Sequence, residues 1–381
     1  MRKVFYLLIV AAILFSCQTV GEYDSKNKTT IKIGVFNRNG DSPFCIYDAV
    51  EALRIDPAME IEIIGASDIM SERLEEFDVV LFPGGGGKSE TNSLGERGIK
   101  RIQQYVIGSG KGVVGICAGA YILTNTPNYP SLHLSGGEAI DIEHDHRGNG
   151  LVKFSLTDEG KKILPELANR KISFCQYYEG PVLVASNKTD SLKYKSLATM
   201  LSDVHLIEGT PANMTNNRPF IITSTPGKGR TCSFVGHPEC TPGMRWLIPR
   251  MVRWTAKKEL ISYSSDVVRP GIHTKEILYT DELKKEYHQL YDDLLTTPKK
   301  KIYAINRLVE IQGWSAKKWI PGMLRDDNPE VRKAAAVAVV QLERTDAIAD
   351  IEEALIIEDD NDVKVLLASE LKKLKAIVNI N

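Results

Sequence analysis

A cysteine in this sequence stands where a strand is expected to turn into a helix. Gly115-Ile116-Cys117-Ala118-Gly119 follows an apolar run and precedes a helical pattern. A nucleophile between two glycines at such a turn has the form of a nucleophile elbow, because glycine tolerates the strained backbone and lets neighbouring segments come close. A thiol at a helix N-terminus is also favoured as thiolate. The pattern predicts Cys117 as a nucleophile; the alternative is a buried cysteine in a glycine-rich turn.

A histidine and a glutamate follow a second apolar run. Gly236-His237-Pro238-Glu239 comes directly after the expected strand Cys232–Val235. If the backbone is extended there, His237 and Glu239 point to the same side. The carboxylate could then hold the imidazole in the tautomer that accepts a proton from Cys117. Taken alone, a His-Pro-Glu triplet is more often an incidental loop.

Consecutive glycines follow a third run. Pro83-Gly84-Gly85-Gly86-Gly87 comes directly after Asp78–Phe82. Backbone N–H groups free of side chains can stabilise an oxyanion, an effect of about 2.7–4 kcal/mol per donor. One alternative is a flexible surface loop. Another is a phosphate-binding loop, but the earlier glycine that this pattern requires is replaced by Phe82.

These segments need a parallel sheet to bring them together. Apolar strand patterns alternate with helical ones along the first part of the chain. The expected strands are Ile31–Phe36, Ile61–Ile64, Asp78–Phe82 and Gly112–Ile116, with helices around Ile46–Leu53 and Ile99–Ile107. Such alternation predicts an α/β fold with helices on both faces, in which sites lie beyond the carboxyl ends of the strands. From Leu134 to Val184, shorter runs with turns such as Asn149-Gly150 predict an antiparallel portion.

Together the motifs resemble a class I glutamine amidotransferase-like domain, and most closely the branch similar to the N-terminal domain of biotin-protein ligase. The similarity spans about Ile31 to Lys258. The residues that carry it are Phe82-Pro83-Gly84-Gly85-Gly86-Gly87, Gly115-Ile116-Cys117-Ala118-Gly119-Ala120-Tyr121, Gln176-Tyr177-Tyr178-Glu179-Gly180-Pro181 and Gly236-His237-Pro238-Glu239. The resemblance implies a flavodoxin-like, three-layer sandwich.

The resemblance also implies roles for single residues. Cys117 would be the nucleophile, His237 the general base and acid, and Glu239 the residue that orients His237. The oxyanion pocket would be formed by the backbone of Gly84, Gly85, Gly86 and Ala118, with Tyr121 and Tyr178 lining the pocket. Glutamine-hydrolysing members usually carry Gln where this chain has Tyr121. The expected substrate is therefore another amide or peptide bond.

The N-terminus resembles a bacterial lipoprotein signal. Met1-Arg2-Lys3 is a basic head, and the apolar run Val4–Phe15 is shorter than the roughly 20 residues of a membrane span. Leu14-Phe15-Ser16-Cys17 resembles a lipobox, which implies cleavage after residue 16 and lipid on Cys17. An ordinary signal peptide with a chance cysteine is the alternative. The polar stretch 17–30 predicts a tether, and lipid on Cys17 would place the protein in the cell envelope, bound to a membrane.

The C-terminal third predicts helices that repeat. The domain is expected to span 31–259 and a linker 260–275, because Ser262–Gly271 is polar and ends in Pro-Gly. In 276–381, the pattern at Asp327–Ala336 recurs at Asp359–Ala368, a period of 32 residues. It resembles HEAT-like repeats, which imply a small all-α domain. Such a domain could bind a protein partner or act only as a structural cap.

Composition excludes several classes. The 381-residue chain has a formal net charge of −1, which argues against a nucleic-acid partner. No cofactor is predicted, and no metal site, since the cysteines lack CxxC spacing and His144-Asp145-His146 suits a solvated hairpin better than a metal centre. Cys240 could pair with Cys232 or Cys45, or be redox-sensitive. Two functions follow: a cysteine hydrolase of the amidase type in the envelope, or a catalytically silent lipoprotein that binds a ligand or protein.

Overall fold

The computed structural model describes residues 30–38, 43–186 and 192–378. Ile31–Asn381 forms one compact unit. The predicted signal peptide 1–16, the predicted lipid-bearing Cys17 and all of the tether 17–30 except its last residue lie outside the described residues. Within the described ranges, no helix has both the length and the apolar character that a membrane span requires.

Strands and helices alternate through the first part of the compact unit, as the apolar runs predict. These elements are β1 (Ile31–Phe36), α1 (Pro43–Leu53), β2 (Met59–Ile64), α2 (Ala66–Met70), β3 (Val79–Phe82), α3 (Gly87–Ile107), β4 (Gly112–Ile116) and α4 (Ala118–Ile122). Strands then dominate, with β5 (Gly137–Ala139), β6 (Asn149–Leu156), α5 (Asp158–Ile163), β7 (Ser173–Tyr178), β8 (Leu183–Ala185), β9 (Tyr194–Met200), β10 (Pro219–Ser224), β11 (Arg230–Phe234), α6 (Leu247–Thr255) and β12 (Ile277–Leu278).

One mixed sheet organises this portion. Its strand order is β12-β6-β9-β10-β11-β4-β3-β1-β2, and β7 pairs with β6. The half containing β2, β1, β3, β4 and β11 is parallel, whereas β9, β10, β6, β7 and β12 pair antiparallel. Because β3, β4 and β11 are adjacent and parallel, their carboxyl ends lie side by side. The three segments with predicted chemistry therefore meet at one sheet edge.

Side chains of the parallel strands β1, β3 and β4 divide between two apolar cores. In β3, Val79 and Leu81 belong to the core that includes residues of α1 and α6, whereas Val80 and Phe82 belong to the core that includes residues of α3. This alternation follows from the two-residue period of a strand. The predicted α/β architecture, a sheet with helices on both faces, is confirmed.

Two local predictions in this portion are wrong. Asn149 and Gly150 begin strand β6 and do not form a turn, because Gly150 pairs with both Tyr177 and Leu278. The apolar pattern from Met244 to Trp254 predicts a helix that Pro249 kinks or splits, but Pro249 is the third residue of α6. Proline is tolerated in a first turn because the N–H groups there have no intrahelical acceptor.

The C-terminal helical segment, residues 281–378, is all-α. It contains α7 (Asp281–Asp293), α8 (Pro298–Glu310), α9 (Ala316–Trp319), α10 (Pro329–Gln341), α11 (Ile348–Ile357) and α12 (Asn361–Ile377). The strand β12 precedes it and pairs with β6 of the sheet. One apolar core continues from the sheet through α6 into these helices. The segment thus packs on the α/β portion.

The 32-residue sequence period corresponds to a structural one. Asn328 caps α10 and Asp360 caps α12, and each side chain accepts hydrogen bonds from two backbone N–H groups of the first turn. Helix α10 packs against both α8 and α12. Val331 and Val363 are fully buried, but Ala336 is buried and its counterpart Ala368 is exposed. The HEAT-like character and the limits 260–275 and 276–381 stay predictions.

Candidate active site

Cys117 adopts the strained backbone that an elbow requires. It links β4 to α4 with φ 51° and ψ −102°, a region that non-glycine residues rarely occupy. A Cβ on Gly119 would lie 2.1 Å from the carbonyl oxygen of Phe82, and one on Gly115 would lie 2.4 Å from that of Gly119. Both glycines are therefore needed for the close approach of β3, β4 and α4. The turn leaves the thiol at the wall of a cavity.

His237 and Glu239 form a buried pair beside it. Nδ1 of His237 lies 2.7 Å from Oε1 of Glu239, and each residue is 2% exposed. The expected extended backbone is wrong, because Pro238–Cys240 forms a 3₁₀ turn. The turn still brings the carboxylate back to the imidazole. The backbone N–H of His237 donates to the carbonyl of Gln176 at 2.7 Å, which fixes the main chain of His237.

The charges of this pair favour the imidazolium form. Burial opposes a charged ring, but the Glu239 carboxylate and the Cys117 sulfur outweigh burial and raise the pKa of His237 well above its ordinary value. A histidine in this state suits a thiolate–imidazolium pair. In the structure, however, the Cys117 thiol donates to the carbonyl of Tyr178 at 3.3 Å. Nε2 of His237 has no hydrogen-bond partner within the described part of the chain.

Gly84 separates the sulfur and the imidazole from β3. A Cβ at this position would lie 2.6 Å from Cε1 of His237 and 3.6 Å from Cβ of Cys117. Any side chain would displace the ring. The absence of a side chain at Gly84 therefore leaves room for the imidazole of His237, whereas Gly85, Gly86 and Ala118 line the cavity.

The glycine segment is held from beneath. Gly85 has φ +133°, and a Cβ there would collide with the guanidinium of Arg38. Arg38 is buried and lies 3.8 Å from the buried carboxylate of Glu90. Helix α3 begins at Gly87, so the glycines run directly into regular structure. A flexible surface loop does not describe this segment.

The cavity has a volume of about 440 Å³, and aromatic, glycine and ionisable residues line it. Of the residues expected at the site, Cys117, His237, Gly85, Gly86, Ala118, Tyr121 and Tyr178 line it. Glu239 lies behind His237, and Gly84 lies between His237 and Cys117. Gly87 and Glu179, which belong to motifs already quoted, also line it, and the structure adds residues that the sequence did not indicate: Cys45, Lys88, Tyr129, Ile142, Asp145 and Trp314.

Tyr121 belongs to a buried polar network. Its hydroxyl donates to Asp141, whose carboxylate also pairs with Arg147 and accepts from the backbone N–H of Val182 at 3.0 Å. Burial, partly opposed by Arg147, raises the pKa of Tyr121 well above its ordinary value, so the phenol is a donor. Arg147 also donates to the carbonyl of Gly180 at 2.8 Å. The residue in the usual glutamine position thus has its hydroxyl engaged within the protein.

Part of the α/β portion is similar in sequence to known proteins. Residues 31–131 match the family described as "Biotin-protein ligase, N terminal". The pyridoxal 5'-phosphate synthase subunit PdxT of Picrophilus torridus is 32% identical over 124 residues, which is 32% of this chain and 62% of the relative. This chain therefore matches less than two thirds of that relative. The family match and the relative support the glutamine amidotransferase-like assignment.

Two solved structures are similar to parts of the chain. The glutaminase domain of Trypanosoma brucei CTPS with bound acivicin is 14% identical with a TM-score of 0.41, and the match covers 62% of this chain and 98% of that domain. A cytoplasmic protein of Salmonella typhimurium is 11% identical with a TM-score of 0.40, covering 59% of this chain and 98% of that protein.

Metal-ligating groups occur at the candidate triad itself. Ligand atoms of His237, Glu239 and Cys240 lie within 4.8 Å of one another. Oε1 of Glu239 is already hydrogen-bonded to the imidazole of His237. Burial raises the pKa of the Cys240 thiol well above its ordinary value, which disfavours the thiolate that would bind a metal. His144-Asp145-His146 does not form the expected hairpin. It is a loop before β6, where His146 and Asp145 have exposed side chains.

The described cysteines form no disulfide. Cys45, Cys117, Cys175, Cys232 and Cys240 are all free thiols. The pairing of Cys240 with Cys232 or Cys45 that the sequence allowed is absent from this structure. Burial raises the pKa of Cys45, which makes this second thiol of the cavity a poor nucleophile at neutral pH.

Proposed function

We propose that this protein is a cysteine-dependent hydrolase of an amide or peptide bond. The observation that carries the proposal is the meeting, at one cavity, of a cysteine in a strained elbow with a buried histidine–glutamate pair. Strain of this kind costs roughly 1–3 kcal/mol and is maintained mainly where function requires it. The arrangement fits nucleophilic catalysis with a paired base.

The proposed reaction has two steps. The reactive state is a thiolate–imidazolium pair, in which His237 holds the proton of the Cys117 thiol, and Sγ of Cys117 attacks the carbonyl carbon to form a tetrahedral intermediate. The C–N bond then breaks, His237 gives its proton to the leaving amine, and an acyl-thioester remains on Cys117. Water, deprotonated by His237, hydrolyses the thioester and restores the thiol. Glu239 holds the ring throughout and stabilises the imidazolium.

The backbone N–H groups of the glycine segment and of Ala118 would stabilise the oxyanion. Gly85, Gly86 and Ala118 line the cavity beside Cys117. Donors fixed before the reaction need no reorganisation as charge develops, which is why such pockets are effective. The buried Arg38–Glu90 pair beneath Gly85 would keep them fixed.

The resting contacts favour a second candidate. The Cys117 thiol donates to the carbonyl of Tyr178. Catalysis requires this thiol to give its proton to His237 in place of the carbonyl. A domain that binds a ligand in the cavity without turnover requires no such exchange, so a catalytically silent lipoprotein is the alternative function.

Alkylation of Cys117 by iodoacetamide distinguishes the two. The chain from Gln18 onward would be alkylated across pH 5.5–9, with each cysteine peptide followed by mass spectrometry, beside His237→Ala and Glu239→Ala. We expect Cys117 to react well below about pH 8.5, the midpoint of an ordinary thiol, and His237→Ala to slow it. Cys45, in the same cavity, is the internal control and should react only at higher pH. A Cys117 rate that both substitutions leave unchanged refutes the hydrolase and favours the silent binding protein.

We also propose that the protein is anchored to a membrane by lipid on Cys17. The lipobox resemblance supports this. Growth of a producing bacterium with an alkyne fatty acid should label the protein, and Cys17→Ser should abolish the label and release the protein from the membrane fraction. Label that persists in Cys17→Ser would refute the anchor. The C-terminal helical segment, if HEAT-like, would bind a protein partner.

A further inference from the structure

The cavity beside Cys117 is completed by a residue from the C-terminal helical segment. Trp314 lies between α8 and α9 and lines the same cavity as Cys117 and His237. Its ring centroid is 4.9 Å from that of His237, with the planes at 76°, and 5.3 Å from that of Tyr178. A residue nearly eighty positions after His237 thus forms part of the site wall.

The loop that carries Trp314 is held on several sides. The carbonyl of Gln312 accepts a hydrogen bond from Nε2 of Gln176 at 3.0 Å. The backbone N–H of Ser315 donates to the Tyr287 hydroxyl at 2.8 Å. Lys317 lies with its Nζ 4.6 Å from the centroid of the Trp314 ring.

That lysine is itself fixed by the α/β portion. Lys317 pairs with the buried carboxylate of Asp48 on α1. Gln176 makes a second connection, because its backbone carbonyl holds His237 while its side chain holds the Trp314 loop. The loop that carries the indole and the main chain of His237 are therefore both held by Gln176 of β7.

The wall around Trp314 has a definite chemistry. Trp314 and Tyr178 present adjoining rings, and Tyr129 and Ile142 add apolar surface to the same cavity. Tyr178 is 41% exposed, so its ring is available for contact. The ionisable residues Lys88, Asp145, Glu179 and His237 line the same cavity beside this aromatic wall. Aromatic walls of this kind select flat apolar groups, since ring contacts add to the gain from burial.

We propose that Trp314 determines specificity, forming with Tyr178 the wall that takes an aromatic or similarly flat apolar group attached near the carbonyl that Cys117 attacks. The attack by Cys117 rests on the proposed hydrolase function, whereas the preference for a flat apolar group rests only on the shape and lining of the cavity. The C-terminal helical segment is then a part of the active site.

Two chloroacetamides of different size test it. The probes are chloroacetamide and N-benzylchloroacetamide; in each, Cys117 sulfur forms a bond to the CH₂ carbon, the C–Cl bond breaks, chloride leaves and the thiol proton passes to solvent. Second-order rate constants would be measured at the Cys117 peptide, using the chain from Gln18. The readout is the ratio of the benzyl rate to the small-probe rate, which cancels changes in thiol reactivity common to both.

We expect the wild-type ratio to favour the benzyl probe, and Trp314→Ala to lower that ratio about 3- to 10-fold. Trp319→Ala is the matched control, since Trp319 is 47% exposed in the same segment and does not line the cavity, and its ratio should equal that of wild type. Trp314→Phe and Trp314→Leu, which retain apolar bulk, should give intermediate ratios in that order and serve if Trp314→Ala fails to fold.

Two results would overturn the proposal: no preference for the benzyl probe in wild type, or a ratio unchanged by every Trp314 substitution. Failure of the hydrolase is recognised separately. In that case His237→Ala leaves both rates unchanged, while the ratio between the probes still reports whether Trp314 selects.

Discussion

Replacement of Asp48 by asparagine should loosen the C-terminal helical segment from the α/β portion. Asp48 is 3% exposed on α1 and pairs with two cations of that segment, Lys317 and Arg344, the latter at 2.7 Å. Arg344 also pairs with Asp346. Lys317 has no second acidic partner among the described residues, and the Trp314 ring lies beside it.

The cost follows from that asymmetry. Asparagine has nearly the shape of aspartate, so packing is retained and the change is mainly one of charge. Arg344 keeps one carboxylate, whereas Lys317, 9% exposed, becomes a buried cation without a counter-ion. Removal of one partner of a buried pair typically costs about 3–5 kcal/mol. We therefore expect Asp48→Asn to lower the free energy of unfolding by about that amount at pH 7.

Urea denaturation of the chain from Gln18 measures this loss. It would be followed by circular dichroism and by tryptophan fluorescence, because coincident curves are needed before a single free energy is extracted. Asp158→Asn is the matched control: Asp158 is an exposed partner of Lys161, and its replacement should change stability by less than about 0.5 kcal/mol. If Asp48→Asn lowers the free energy of unfolding no more than the control does, the ion pairs of Asp48 with Lys317 and Arg344 do not hold the segment on the α/β portion.

The pH dependence gives a second check. Burial opposes the charge of Asp48, but Lys317 and Arg344 outweigh burial and lower its pKa, so its contribution is complete above the ordinary value of 3.8 and is lost as pH falls through the lowered pKa. Burial also opposes the charge of Lys317, yet Asp48 raises its pKa. That contribution is complete below 10.5 and is lost as pH rises through the raised pKa. The difference between wild type and Asp48→Asn should be largest between these limits and shrink in acid.

Three further predictions concern the site. The NMR signals of the His237 ring should titrate well above pH 6.5, and Glu239→Gln should lower the titration midpoint; an unchanged midpoint would contradict the assignment of Glu239. Because the pKa of His237 is raised on folding, the stabilisation from this pair is complete below pH 6.5 and is lost as pH rises through the raised pKa. Gly119→Ala should cost about 1–3 kcal/mol or more in urea and abolish fast Cys117 alkylation, because its Cβ would meet the Phe82 carbonyl; wild-type values for both would argue against the elbow. Tyr121→Phe should cost about 1–3 kcal/mol by leaving Asp141 one donor short, measured the same way; no loss would mean that Arg147 and Val182 satisfy Asp141 alone.

The convergence of the site could be predicted from the sequence because strand ends are encoded locally. The apolar runs before Gly84, Cys117 and His237 mark three strands, and their adjacency follows from the parallel α/β pattern. The backbone at Glu239 could not be predicted in the same way. An extended segment and a 3₁₀ turn both bring its carboxylate near the imidazole, and the sequence does not distinguish them.

Three of the cavity residues that the sequence missed share one property. Cys45 lies on α1, Asp145 in an irregular loop and Trp314 in the C-terminal helical segment. None follows a strand of the parallel half, so the rule that locates Cys117 gives them no signal. Their positions depend on long-range contacts. Gln176 and Gln312, for example, are joined by a hydrogen bond across 136 residues.

That hydrogen bond changes the interpretation of the helical segment. A helical repeat in sequence suggests a module that binds elsewhere, because repeats commonly form surfaces of their own. Here the segment shares a core with the sheet, its Lys317 and Arg344 pair with Asp48 of α1, and its Trp314 contacts the imidazole of His237. Loss of the segment would remove a cavity wall and leave buried Asp48 without its cations. The α/β portion therefore depends on the helices for both its stability and the shape of its site.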